Sequence, residues 1–150
     1  MAVRMFRANG PVHIEWYQKT ASTAFAFNEP VCFTTTGRLI AYTPGAVQPV
    51  LGLIKKTIAS TDSDYASTTR VPVEVGNYDT EYLFDASTTG AALTDVGEFV
   101  DYVSATRSVN VGVSTEDDVF VTEFISTTLV VGKWARRVTS NNLQTAFTNA

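Results

Sequence analysis

One cysteine and one histidine serve the whole 150-residue chain, and each shortage narrows what the protein is equipped to do. Cys32 has no partner within the chain, so an intramolecular disulfide is excluded and nothing points to an oxidising compartment. Assembly inside a cell is the simpler expectation. No apolar run approaches the ~20 residues of a membrane helix. The start, MAVRMFRANGP, carries Arg4 and Arg7 without a following apolar stretch of signal-peptide type. Membrane insertion and secretion are therefore not expected. Basic residues are outnumbered, 11 against 15 acidic, for a net charge of −4. They are scattered except for Lys55–Lys56 and Arg136–Arg137, so direct contact with nucleic-acid phosphates is not expected either.

Catalytic signatures are missing as well. The nucleophile elbow G-x-S-x-G, the P-loop and the G-x-G-x-x-G fingerprint do not occur, and Gly132–Lys133 runs into Trp134 without the upstream glycine of a phosphate cradle. With so little His and Cys, general acid–base and nucleophilic chemistry have few carriers. A His13–Cys32 dyad across adjacent strands is the one nucleophilic arrangement available, and a buried thiol beside a strand-exposed imidazole explains the same residues. Asp62 and Asp64, and Glu116, Asp117 and Asp118, are the candidate hard-cation loops. An EF-hand register from Asp62 fails because Ser67 stands where glycine is needed and Val73 where a bidentate Glu is needed. Solvated loop tips are the plainer account, and no cofactor is expected.

What is present is strand-forming material. The hydrophobic fraction of 45% and charged fraction of 17% support a single domain with its own core. Val12, Ile14 and Trp16 alternate with His13, Glu15 and Tyr17, the period of a half-buried strand, and the Val12/Ile14/Trp16 face is expected in the core. Val31–Tyr42 reads as two strands about the turn TTTG at Thr34–Gly37. Leu51–Ala59 (LGLIKKTIA) is long enough for a helix, but Gly52 and the β-branched Ile54, Thr57 and Ile58 favour strand. In VPVEV (Val71–Val75), Pro72 cannot donate to a ladder, which predicts an edge or the beginning of a strand. EYLFDA, GEFVDYV, VNVGV, VFVTEFI and LVVGKW follow with turn signals between them. The expected fold is all-β, one compact sandwich or barrel over residues 12–137, with an N-terminal arm at 1–11 and a tail at 138–150. Asn141, Gln144, Leu143, Ala146 and Phe147 allow one short helix in that tail.

In order, FNEPVCF, LGLIKKTIA, an acidic Ser/Thr loop, TRVPVEV, EYLFDA, VNVGV and DVFVTEFI…LVVGKW resemble the small head decoration, or capsid cement, proteins of tailed bacteriophages, over about Phe25 to Trp134. The resemblance implies a virion protein, not an enzyme, that binds the outside of the head and bridges subunits of the major capsid protein. It further implies a homo-oligomer of trimeric type, located on the capsid after assembly in the host cytoplasm. Arg4, Met5, Phe6 and Arg7 in the arm, with Phe25 and Phe27 in the loop-like TAFAFNEP, are the expected partner-binding residues. Removing the residues before Gly10 is then expected to weaken attachment more than folding. Lys133, Arg136 and Arg137 would also suit an acidic partner or a connector. Another virion component (head–tail connector, tail or fibre base) and a carbohydrate-binding sandwich using Tyr78 or Tyr82 are the alternatives. A carboxylate-based hydrolase is the least favoured.

Overall fold

The computed structural model describes residues 3–8, 10–46, 48–77, 79–87 and 90–135. Within them the chain is all-β. The strands are β1 (Val3–Arg7), β2 (His13–Gln18), β3 (Pro30–Phe33), β4 (Leu39–Ala41), β5 (Gly52–Ile54) and β6 (Arg70–Val75). They continue with β7 (Glu81–Asp85), β8 (Phe99–Val103), β9 (Ser108–Asn110), β10 (Val119–Ser126) and β11 (Leu129–Trp134), and a single 3-10 turn sits at Leu93–Asp95. Two sheets form a sandwich, with orders β1-β7-β11-β10-β8-β9 and β2-β6-β5-β3-β4. Every strand pair in both is antiparallel. Neither sheet closes into a barrel, but both curl: in the smaller a parallel bridge joins Lys19, just past β2, to Leu39 on β4 and so links its two ends, and in the larger a parallel bridge joins Ala86, just past β7, to Val109 on the end strand β9.

Alternation along the strands sorts side chains into two clusters. Cys32 and Leu53 turn toward the larger sheet and join Val3, Phe84, Val100, Val119, Val121 and Val130 there. Their neighbours Val31 and Ile54 turn the other way, to pack with Leu39, Val71, Val73, Phe25 and Ile58 inside the curl of the smaller sheet. Gly52 permits the close approach of β6. A Cβ on it would lie 2.2 Å from the carbonyl oxygen of Glu74 on the neighbouring strand.

The sheets are locked together at a polar and aromatic node. Asp118, 1% exposed, accepts hydrogen bonds from the Tyr42 hydroxyl (2.5 Å) and the Tyr102 N–H (2.9 Å), with the Gly45 N–H at 3.4 Å. The Trp134 ring meets Tyr42, Tyr82, Phe84 and Tyr102 at centroid distances of 5.5, 6.3, 5.1 and 5.2 Å. These are tilted and edge-on contacts of the kind aromatic quadrupoles favour.

Lys19 holds the curl of the smaller sheet. Its side chain is fully buried, and its ammonium donates to the carbonyls of Tyr65 (2.7 Å), Ser67 (2.7 Å) and Thr20 (3.2 Å). All three donors of the group are thereby used, and the 60–69 loop is tied down over the inner cluster. Burial lowers the Lys19 pKa, with Asp64 opposing the shift.

Several expectations are revised. LGLIKKTIA is strand only over Gly52–Ile54, after which Ile58 returns to bridge Phe25. Pro72 does not mark an edge, since β6 lies between β2 and β5. Its carbonyl accepts the N–H of Lys55, one residue past the end of β5. The proline nitrogen therefore faces the side where β5 has already ended, and no bond to β2 is lost. The segment expected to project as an arm is built into the sheet: Val3–Arg7 pairs with β7, with Val3 fully buried. The expected tail and its short helix, with Arg136 and Arg137, lie outside the described residues.

Two measurements check this account. Replacing Lys19 with Met leaves three loop carbonyls without their donor, and a loss of about 2–4 kcal/mol is expected in urea unfolding; an unchanged midpoint would contradict it. Burial raises the Tyr82 pKa to about 12 and pushes Tyr102 up further. Above pH ~10 the folded chain then retains phenolic protons that the unfolded chain releases, so stability is expected to be full below pH 10 and to fall as pH rises toward 12. A flat stability profile across that window would show that these phenols are not sequestered.

Candidate partner-binding surface

The residues with catalytic potential are kept apart. Cys32 is buried on β3, while His13 is exposed on β2 with its Nε2 3.2 Å from Glu15, and β6 and β5 lie between the two strands. Burial raises the Cys32 pKa, which holds it as a thiol at neutral pH. The acidic loops are occupied by the chain itself: Asp62 accepts the Ala59 N–H (2.8 Å), Asp64 pairs with Lys56 (2.6 Å), and Asp118 serves the node. Among the described residues no three His, Cys, Asp or Glu side chains come together as a metal site. An apolar cleft of about 440 Å³ opens between Phe33, Leu51, Val75, Tyr82 and Trp134. Of its lining residues only Tyr82 titrates, and far above neutral pH.

The sites expected to meet a partner fare unequally. On β1, Val3 and Met5 turn inward and Arg4 and Phe6 outward. The register slips between Met5 and Arg7, making Phe6 the extra residue of an edge bulge. Arg7 is already committed, donating from Nε to Glu81 (2.7 Å) and from its terminal nitrogen to Glu123 (2.5 Å) while its guanidinium covers the Phe6 ring at 4.6 Å. These pairs hold the guanidinium against the sheet while its side chain stays 53% exposed. Phe25 is corrected outright: it is 3% exposed, exchanges backbone hydrogen bonds with Ile58 (2.9 Å each way) and belongs to the inner cluster. Phe27 is 54% exposed, with the Lys55 ammonium 4.8 Å from its ring. Two-residue spacing suggests a shared face, but Asn28 adopts φ 62° and the Ala26–Glu29 turn swings Phe27 outward.

The largest departure is β2. Val12, Ile14 and Trp16 do share a face, but it is the solvent face, with Trp16 56% exposed; Tyr17 is the residue that turns inward, edge-on to Phe33 at 5.1 Å. Leu93, Val96 and Phe99 form a further exposed apolar group around the 3-10 turn. Sequence reasoning missed it because apolar residues at the start of a strand look the same whether buried or bare. Tyr82, proposed as a sugar platform, is 4% exposed and unsuited to that role, and Tyr78 lies outside the described residues. Lys133 pairs with Asp79 at 3.6 Å.

These placements reverse what the sequence alone predicts for two substitutions. Phe25→Ala is expected to destabilise by about 3–5 kcal/mol, whereas Trp16→Ser should stay within about 0.5 kcal/mol of the parent. Acrylamide quenching of Trp fluorescence should fall sharply in Trp16→Phe, and a core-like cost for Trp16→Ser would refute the placement.

No protein-family model matches the chain, and neither a curated protein nor a solved structure is found to be similar to it.

Proposed function

We propose that the chain is a virion structural protein, a decoration protein that attaches to the outer surface of a tailed-phage head and bridges neighbouring subunits of the major capsid protein without chemistry. The observation that carries this reading is the division of the molecule into a cross-braced interior and separate exposed apolar patches. Phe6, Phe27, the Val12/Ile14/Trp16 strip and the Leu93/Val96/Phe99 group lie on different elements. A protein that must touch more than one neighbour needs several such surfaces on a body that does not yield. Attachment of repeated copies adds avidity, so contacts of modest strength suffice. The sequence resemblance to capsid cement proteins points the same way. Because Val3 is buried in the larger sheet, truncation before Gly10 would damage the fold, and single exposed substitutions are the sounder probe.

Expanded heads built from the major capsid protein of the same phage, mixed with saturating chain, are expected to bind it and to melt at higher temperature. Phe6→Asp and Phe27→Asp should lower occupancy while leaving the unfolding midpoint of the free chain unchanged. Absence of binding at saturation, with no thermal gain, would remove the proposal.

A further inference from the structure

Strand β2 ends the smaller sheet, and the direction of its backbone groups is settled by its neighbours. Lys19 donates its N–H to Thr69 on the β6 side, and Trp16 stands opposite Pro72, whose carbonyl is turned away toward Lys55. Regular alternation then points the N–H and C=O groups of His13, Glu15 and Tyr17 at β6 and those of Val12, Ile14 and Trp16 at the free edge. Further along, the edge is taken: Thr20 donates to Leu39. Among the described residues, what remains open is the stretch 12–16, with Ile14 at its midpoint and exposed apolar side chains on one of its faces.

We propose that this edge binds a second copy of the same chain, β2 antiparallel to β2, about a two-fold axis at Ile14. In that register Ile14 exchanges both backbone hydrogen bonds with Ile14 of the second copy, and Val12 does so with Trp16, giving roughly six main-chain bonds. On one face the Val12, Ile14 and Trp16 side chains of both copies form one apolar strip. On the other, each His13 stands opposite the Glu15 of the other copy, while within its own chain its Nε2 already lies 3.2 Å from Glu15. Four groups thus alternate, imidazole and carboxylate, with no like charges facing.

Other two-fold registers are worse. Centring on Glu15 sets that carboxylate against its own copy at the close, non-hydrogen-bonded spacing. Centring on His13 shortens the overlap and sets Pro11 against Glu15, and centring on Trp16 drives the second copy into the stretch that Leu39 occupies. An exposed edge that fits itself in one register is an isologous interface. The inference concerns the free chain and stands apart from the role proposed on the phage head.

Sedimentation equilibrium of the full chain from about 1 to 200 µM is expected to show a monomer–dimer equilibrium, the strength suited to a small strand-to-strand contact. Ile14→Lys and, separately, His13→Glu should weaken it at least about tenfold, with far-UV circular dichroism unchanged because both positions are exposed. The exchange His13→Glu with Glu15→His should restore dimerisation, since it regenerates the same cross-copy pairs. Under mild oxidation Ile14→Cys should give a covalent dimer and Gln18→Cys should not. A chain that stays monomeric throughout, or a dimer indifferent to Ile14→Lys and His13→Glu, would overturn the proposal. A double exchange that fails to restore association would overturn the register.

Discussion

A carboxylate removed from water must be fully partnered or it unravels its surroundings, and Asp118 is the residue on which this fold depends in that sense. It and its partners come from places far apart in the chain: Tyr42 just after β4, Tyr102 on β8, and Asp118 itself at the entry to β10. The first belongs to the smaller sheet and the others to the larger, so satisfying one charge fixes how the sheets meet. Trp134 fills the same junction with an aromatic ring touching four others. Sliding one sheet over the other would break the polar contacts and the ring contacts together.

Lys19 repeats the logic at the far side of the smaller sheet, a buried cation whose three donors meet three carbonyls. With the ends of the smaller sheet bridged and the larger sheet curled until β9 meets the end of β7, the interior has little freedom left. The exposed apolar side chains sit instead on edges and turns, on β1, β2, the Ala26–Glu29 turn and the 3-10 turn. Titratable groups that could support chemistry are dispersed or engaged in structural pairs. This division between a braced interior and exposed apolar patches is the feature on which the proposed decoration role rests.

The strands were legible because alternation is local. Val119 and Val121 on β10, and Val71 and Val73 on β6, are buried as their two-residue spacing requires. Which face is buried is a different matter, because it depends on what lies across the sheet. The faces of β2 are separated correctly, yet Tyr17 is the inward residue and Trp16 the outward one, since among the described residues nothing packs over the Trp16 side. Pro72 misled for a related reason: a missing N–H matters only where a partner carbonyl stands, and β5 has already ended there. Phe25 and Phe27 part because Phe25 is held by its bridge to Ile58 while the chain turns directly afterwards at Ala26–Glu29, which no spacing rule reveals. Lys19 could not have been singled out, because two of its three acceptors are brought to it by loop residues about fifty positions away.

The most direct test of a braced interior with contacts at its edges is amide hydrogen exchange of the chain, free and saturated on expanded heads. The account predicts slow exchange at Tyr102 in both states, with new protection on binding confined to the edges and turns that carry Phe6, Phe27 and Leu93. Fast exchange at Tyr102 in the free chain, or no new protection at any exposed patch on saturated heads, would contradict it.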